Sequence, residues 1–79
     1  MKVEVYTTEN CYNCHKAKAF LKKHGVEYIE YNVSNNIEKA RDIFRLSGQL
    51  GVPLIVIDGD IVVGFDEKKL KSLINGRGN

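Results

Sequence analysis

Two cysteines, Cys11 and Cys14, stand two residues apart in "TTENCYNCHKAKAF" and are followed at once by His15. C-x-x-C-H fits two incompatible chemistries: attachment of a c-type haem, and a dithiol that opens a helix and exchanges with disulfides. Haem would need an export route, an enclosing pocket and normally a second axial ligand. The only Met is the initiator. His24 would lie on the same helix as His15 and could not reach the far face of the ring. A zinc or iron–sulfur centre takes four protein ligands, and Cys11, Cys14 and His15 leave that set incomplete. A [2Fe–2S] cluster shared between two copies remains as the alternative reading, that of a dimeric cluster carrier or sensor.

Dithiol chemistry needs fewer assumptions. The reactive species in disulfide exchange is the thiolate, so a cysteine with an ordinary pKa of ~8.5 must be helped to ionise. A helix that starts at Cys11 offers unpaired N–H groups and a partial positive charge there. Cys14, three residues on, lies on the same helical face, within reach of a mixed disulfide formed at Cys11. Cys11 is then the nucleophile and Cys14 the resolving thiol.

The elements that must position this pair follow from periodicity. "KVEVY" (2–6) alternates as a strand. Asn10 is the expected cap of a helix from Cys11, with Cys14, Ala17, Phe20, Leu21 and His24 recurring along it and Gly25 closing it. "VEYIEYNV" (26–33) alternates as a second strand. Asn35, with Glu38 three residues on, resembles a capping box for a second helix. That helix turns Ile37, Ala40, Ile43, Phe44 and Leu46 or Ser47 inward and ends near Gly48. "PLIVIDGDIVVGF" reads as a hairpin around Asp58-Gly59. Asp66 caps a last helix with Leu70, Leu73 and Ile74 inward, and "NGRGN" is expected to fray. The order β-α-β-α-β-β-α makes an α/β fold, a mixed four-stranded sheet flanked by three helices, with all-apolar "LIVI" as a central strand.

The whole chain bounds the function. Its 79 residues, 43% of them hydrophobic, are expected to form one domain with no cysteine left over for a structural disulfide. Twelve Lys and Arg against ten Asp and Glu give a net charge of +2, and basic and acidic residues are interspersed along the chain. That pattern does not call for nucleic acid. Neither a signal peptide nor a run of ~20 apolar residues is present, so the expectation is a cytoplasmic protein, not tied to a membrane, in a compartment that keeps thiols reduced. The lone Pro53 precedes a strand, where proline fits in any case. A cis Val52–Pro53 bond turning the Val52 backbone toward Cys11 is the functional alternative.

"VEVYTTENCYNCHKAKAFL", then "GVP" before an apolar strand, then "DG" and "VVGFD", resembles the glutaredoxin family over nearly the whole chain. The resemblance implies a thioredoxin-like fold, a cis Pro53, no bound cofactor, and disulfide-containing protein or glutathione mixed disulfides as substrates. Glutathione users typically read CPYC with a Lys three residues ahead; here Tyr12 and Asn13 fill the motif and Thr8 takes the Lys position. TVP becomes Gly51-Val52-Pro53, and the glycine pair before the last helix becomes Val63-Gly64. Asn13 and Gly64-Phe65 look more like NrdH-type redoxins, which take electrons from thioredoxin reductase and pass them to ribonucleotide reductase. Thr8 and the lack of Trp depart from that subfamily too. Expected substrate contacts are Tyr12 and Asn13 beside the thiol, the Val52 backbone next to Pro53, and the N–H groups of Phe65 and Asp66 after Gly64. The electron donor is then glutathione or thioredoxin reductase, and the chain is expected to act as a monomer.

Overall fold

Alternation in "VEVYT" puts Val3, Val5 and Thr7 on one face of the first strand and Glu4 and Tyr6 on the other, and both faces are covered. In the computed structural model, which describes residues 1–77, this strand is β1 (Val3–Thr7). It is followed by α1 (Tyr12–Lys23), β2 (Ile29–Asn32), α2 (Ile37–Ser47), β3 (Leu54–Ile57), β4 (Asp60–Val63) and α3 (Glu67–Arg77). The sheet order is β2-β1-β3-β4, with β1 parallel to β2 and antiparallel to β3, and β3 antiparallel to β4. This is the mixed four-stranded sheet with three helices that the sequence predicts. β3 is buried at all its positions, as an all-apolar central strand must be.

Each face of the sheet carries its own core. Val3, Val5, Ile55 and Ile57 meet Ala17, Phe20 and Leu21 of α1 and Leu70 and Ile74 of α3. On the other face Tyr6, Leu54 and Val56 meet Ile43 of α2 and Val33. So α1 and α3 share one side of the sheet and α2 takes the other.

Several boundaries differ from the expected ones. The second strand is only Ile29–Asn32, because Gly25 (φ 68°) turns the chain and Val26 donates its N–H back to the Leu21 carbonyl, 2.9 Å. Asn36, not Asn35, caps α2: its side chain accepts the Lys39 N–H at 3.1 Å. On α2, Ile43 is buried but Ile37, Phe44 and Leu46 are exposed, since the apolar residues span more of the helix circumference than the sheet can cover. The hairpin turns at Asp58 (φ 48°) and Gly59 (φ 91°), the two positive angles a tight two-residue turn demands. α3 continues through Arg77, so the expected fraying from Asn75 is not seen, and residues 78–79 lie outside those described. Among the described residues no helix is long and apolar enough to cross a membrane.

Candidate active site

Sheet register gathers the predicted site residues at one end of the fold. Tyr6 pairs with Leu54, and Leu54 with Val63. The end of β1, the start of β3 and the end of β4 therefore lie side by side. The segments that leave or enter there are 8–11, 52–53 and 64–66. Gly64, at φ 76°, donates its N–H to the Pro53 carbonyl at 2.8 Å and ties two of them together. The Val52–Pro53 bond is cis.

Cys11 itself caps α1. Asn10, the expected cap, instead adopts the left-handed conformation (φ 59°), which asparagine tolerates better than most residues. That turn swings Cys11 into extended geometry (φ −104°, ψ 106°), where its Sγ accepts the Cys14 N–H at 3.1 Å. Its carbonyl accepts the His15 N–H at 3.2 Å. A sulfur here does what a serine or aspartate oxygen does at other helix starts. The first turn of α1 carries no acidic residue to oppose a negative charge. Cys11 and Cys14 are joined as a disulfide with Cα atoms 5.2 Å apart. Cys14 is 1% exposed, whereas Cys11 is half-buried and open to a partner.

Around the pair, Tyr12 is 75% exposed and Asn13 is exposed beside it. The Lys16 Nζ stands 5.3 Å from the Tyr12 ring centre and 5.4 Å from that of Phe65, linking α1 to the segment before α3. Phe65 meets Phe20 edge-on at 6.0 Å. The Asp66 carboxylate accepts the Lys69 N–H at 3.1 Å and its carbonyl the Leu70 N–H at 2.9 Å, so Asp66 caps α3 as expected. Among the described residues the Val52 N–H and C=O have no backbone partner. Nor do those residues include a group of three or more His, Cys, Asp or Glu placed to hold a metal ion. Tyr6 packs in the core on the α2 side, its ring 5.0 Å from Tyr31.

One polar group at this end escapes sequence reasoning. Buried Thr7 donates to Glu30 at 2.8 Å, and Lys18 of α1 donates to the same oxygen at 3.0 Å. Partial burial pushes the Glu30 carboxyl up, but hydrogen bonds from Lys18 and Thr7, with the charges of Lys18 and His15, outweigh it and hold it below its ordinary value. The 23-residue separation of Thr7 and Glu30 leaves no local signal. A depressed carboxyl stabilises the fold in full above the unfolded pKa of ~4.3, and the contribution fades as pH falls through the folded value. Glu30→Gln is thus expected to lower the stability read from urea unfolding at pH 7 by under ~1 kcal/mol for so exposed a pair. At pH 3 the gap between variant and parent narrows; an equal gap at both pH values would remove the ion pair from the account.

A four-stranded sheet with a parallel β1–β2 pair, an antiparallel hairpin, a cis proline at a strand start and a C-x-x-C capping the first helix define a thioredoxin-fold dithiol protein. Comparison with known proteins narrows this. The family model described as glutaredoxin matches residues 3–62. Glutaredoxin 3 of Escherichia coli is 40% identical over 65 residues, 82% of this chain and 78% of that protein. The solved glutaredoxin of Archaeoglobus fulgidus superposes with a TM-score of 0.88 at 29% identity, covering 95% of this chain and 87% of that one. NrdH-redoxin of E. coli, a glutaredoxin-like protein with a thioredoxin-like activity profile, gives 0.83 at 25% identity, covering 92% and 95%. The chain belongs to the glutaredoxin family, whose members are thiol–disulfide oxidoreductases.

Proposed function

We propose that the chain reduces disulfides by two-step dithiol exchange, with Cys11 as nucleophile and Cys14 as resolving thiol. The observation that carries this reading is the cap: Cys11 Sγ receives the Cys14 N–H at 3.1 Å and is accessible, while Cys14 is buried behind it. The Cys11 thiolate attacks one sulfur of the substrate disulfide, forming a mixed disulfide and expelling the other sulfur as a thiolate that takes up a proton. Cys14 then loses its proton and attacks the Cys11 sulfur, releasing the second substrate thiol. Two electrons have passed to the substrate, and the Cys11–Cys14 disulfide remains.

Around that chemistry, Val52 pairs through its free backbone groups with the chain flanking the substrate cysteine. Tyr12, Asn13 and Phe65 border the exposed sulfur, and the N–H groups of Phe65 and Asp66 after Gly64 receive a substrate carboxylate. Electrons return from glutathione or from a thioredoxin reductase, in a reducing cytoplasm, with the chain acting as a monomer on proteins such as ribonucleotide reductase. Thr8 in place of a lysine removes one cation that would meet the glutathione carboxylate. A side-by-side assay, coupling the protein to glutathione with its reductase and to thioredoxin reductase, decides between donors.

The nucleophile is tested separately. Reduced protein treated with iodoacetamide across pH is expected to lose Cys11 first, with a rate midpoint below the ~8.5 of free cysteine. Faster alkylation of Cys14, or a Cys11 midpoint at the free-cysteine value, overturns the assignment. Anaerobically purified protein with the visible absorbance of an iron–sulfur cluster would favour the cluster carrier instead.

A further inference from the structure

The net charge of +2 is the sum of two very unequal halves. α1 carries Lys16, Lys18, Lys22 and Lys23 and no acid. In sequence, α3 adds Lys68, Lys69, Lys71 and Arg77 against only Glu67 and its cap Asp66. These two helices lie on the same side of the sheet. The other elements hold the remaining eight carboxylates against Lys2, Lys39, Arg41 and Arg45. Among the described residues, only Lys18 of the seven helix lysines forms an ion pair, with Glu30. The lysine runs of α1 and α3, far apart in the chain, thus meet on one side of the sheet and leave a surplus of cations there.

Between α1 and α3 runs a cleft with Phe20 and Phe65 in its lining and three lysines, Lys16, Lys23 and Lys71, around it against the carboxylate of Glu67. Lys16 and Phe65 also border Cys11's side of the fold, through the Tyr12 and Phe65 rings that Lys16 approaches. The basic face is therefore continuous with the site at which a substrate sulfur must arrive.

We propose that the α1/α3 face docks an acidic protein surface flanking the disulfide to be reduced, with Lys16, Lys23 and Lys71 as its electrostatic contacts. This rests on the disulfide-reducing function proposed above. Charge complementarity selects the occupant: a face rich in unpaired lysines beside a reactive sulfur attracts carboxylates near a disulfide and turns the protein so that Cys11 leads. The acidic remainder of the molecule opposes close approach of a phosphate backbone, which favours a protein segment over nucleic acid.

The test compares three disulfides reduced in single turnover by the pre-reduced protein: a peptide disulfide flanked by glutamates, the same peptide flanked by lysines, and neutral hydroxyethyl disulfide. At low salt the acidic peptide is expected to react about tenfold faster than the basic one, within the range of electrostatic steering. The ratio should fall toward one as added salt shortens the screening length from ~10 Å at 0.1 M to ~3 Å at 1 M. In Lys23→Glu/Lys71→Glu the preference should vanish at low salt while hydroxyethyl disulfide is reduced at the parental rate. The salt series on the parent protein needs no variant, so a misfolded variant does not decide the matter. Equal rates for the two peptides at low salt, with hydroxyethyl disulfide still reduced, overturn the docking face alone. Failure on all three overturns the proposed function with it. Submicromolar binding of a single-stranded DNA 20-mer at 0.15 M salt would assign the face to nucleic acid and also overturn the proposal.

Discussion

Cys11→Ser is expected to lose disulfide turnover by about a thousandfold or more, the scale on which removing a catalytic nucleophile acts. Serine keeps the cap, because its oxygen can accept the Cys14 N–H as the sulfur does at 3.1 Å, so the helix and the fold should survive. What disappears is the one sulfur that a substrate can reach, since Cys14 is 1% exposed. The companion variant separates the two steps. Cys14→Ser leaves the first attack intact and stops the second, so protein incubated with a disulfide should gain the mass of one substrate half and hold it until an external thiol is added. Intact mass spectrometry without reductant reads both results. An active Cys11→Ser protein with an inert Cys14→Ser would exchange the two roles and refute the assignment of Cys11 as nucleophile.

How far this site could be read in advance follows from the range of each signal. Asp58-Gly59 and the all-apolar "LIVI" carry their information within a few residues, and both appear as expected, as turn and central strand. The C-x-x-C pair opens a helix as its spacing implies, and the cis bond at Pro53 follows from the family resemblance. The caps of α1 and α2 are displaced by one residue, whereas Asp66 caps α3 as expected. Asn10 and Asn35 are good cap types, but a neighbour takes each position once backbone direction is fixed: Cys11, a weaker cap type, because Asn10 turns left-handed, and Asn36 in the place of Asn35. Exposure on α2 could not be read, because periodicity states which residues share a stripe and not how much of it a four-stranded sheet covers. The Thr7–Glu30–Lys18 contact and the clustering of lysines on α1 and α3 depend on elements distant in sequence. A count of charges is blind to both, and their order along the chain shows the lysine runs but not that they share one side of the sheet.

Leu21→Ala is expected to give the largest loss of stability, about 2–5 kcal/mol, and it tests whether the core or the cap holds the active-site helix in place. Leu21 is fully buried, on the face of α1 that meets Val3, Val5 and Ile55 on the sheet. Truncation removes its methyl groups from a core made by two helices and three short strands, which has little material with which to refill the gap. At ~0.05–0.15 kcal/mol per residue, a 79-residue chain has about 4–12 kcal/mol of stability in total, so the change removes a large part of it. At ~4–8 °C per kcal/mol the melting temperature should fall by roughly 10 °C or more. Lys22→Ala, one position along on the exposed side, should stay within ~0.5 kcal/mol of the parent. Leu21 lies ten residues from Cys11, about 15 Å along the helix at 1.5 Å per residue. The alkylation rate of Cys11 in folded Leu21→Ala protein at low temperature should therefore match the parent within about twofold, because the hydrogen bond to its sulfur is made within the first turn. A Cys11 rate that fell with the melting temperature would instead mean that packing beneath α1, rather than the cap, sets the reactivity of the sulfur.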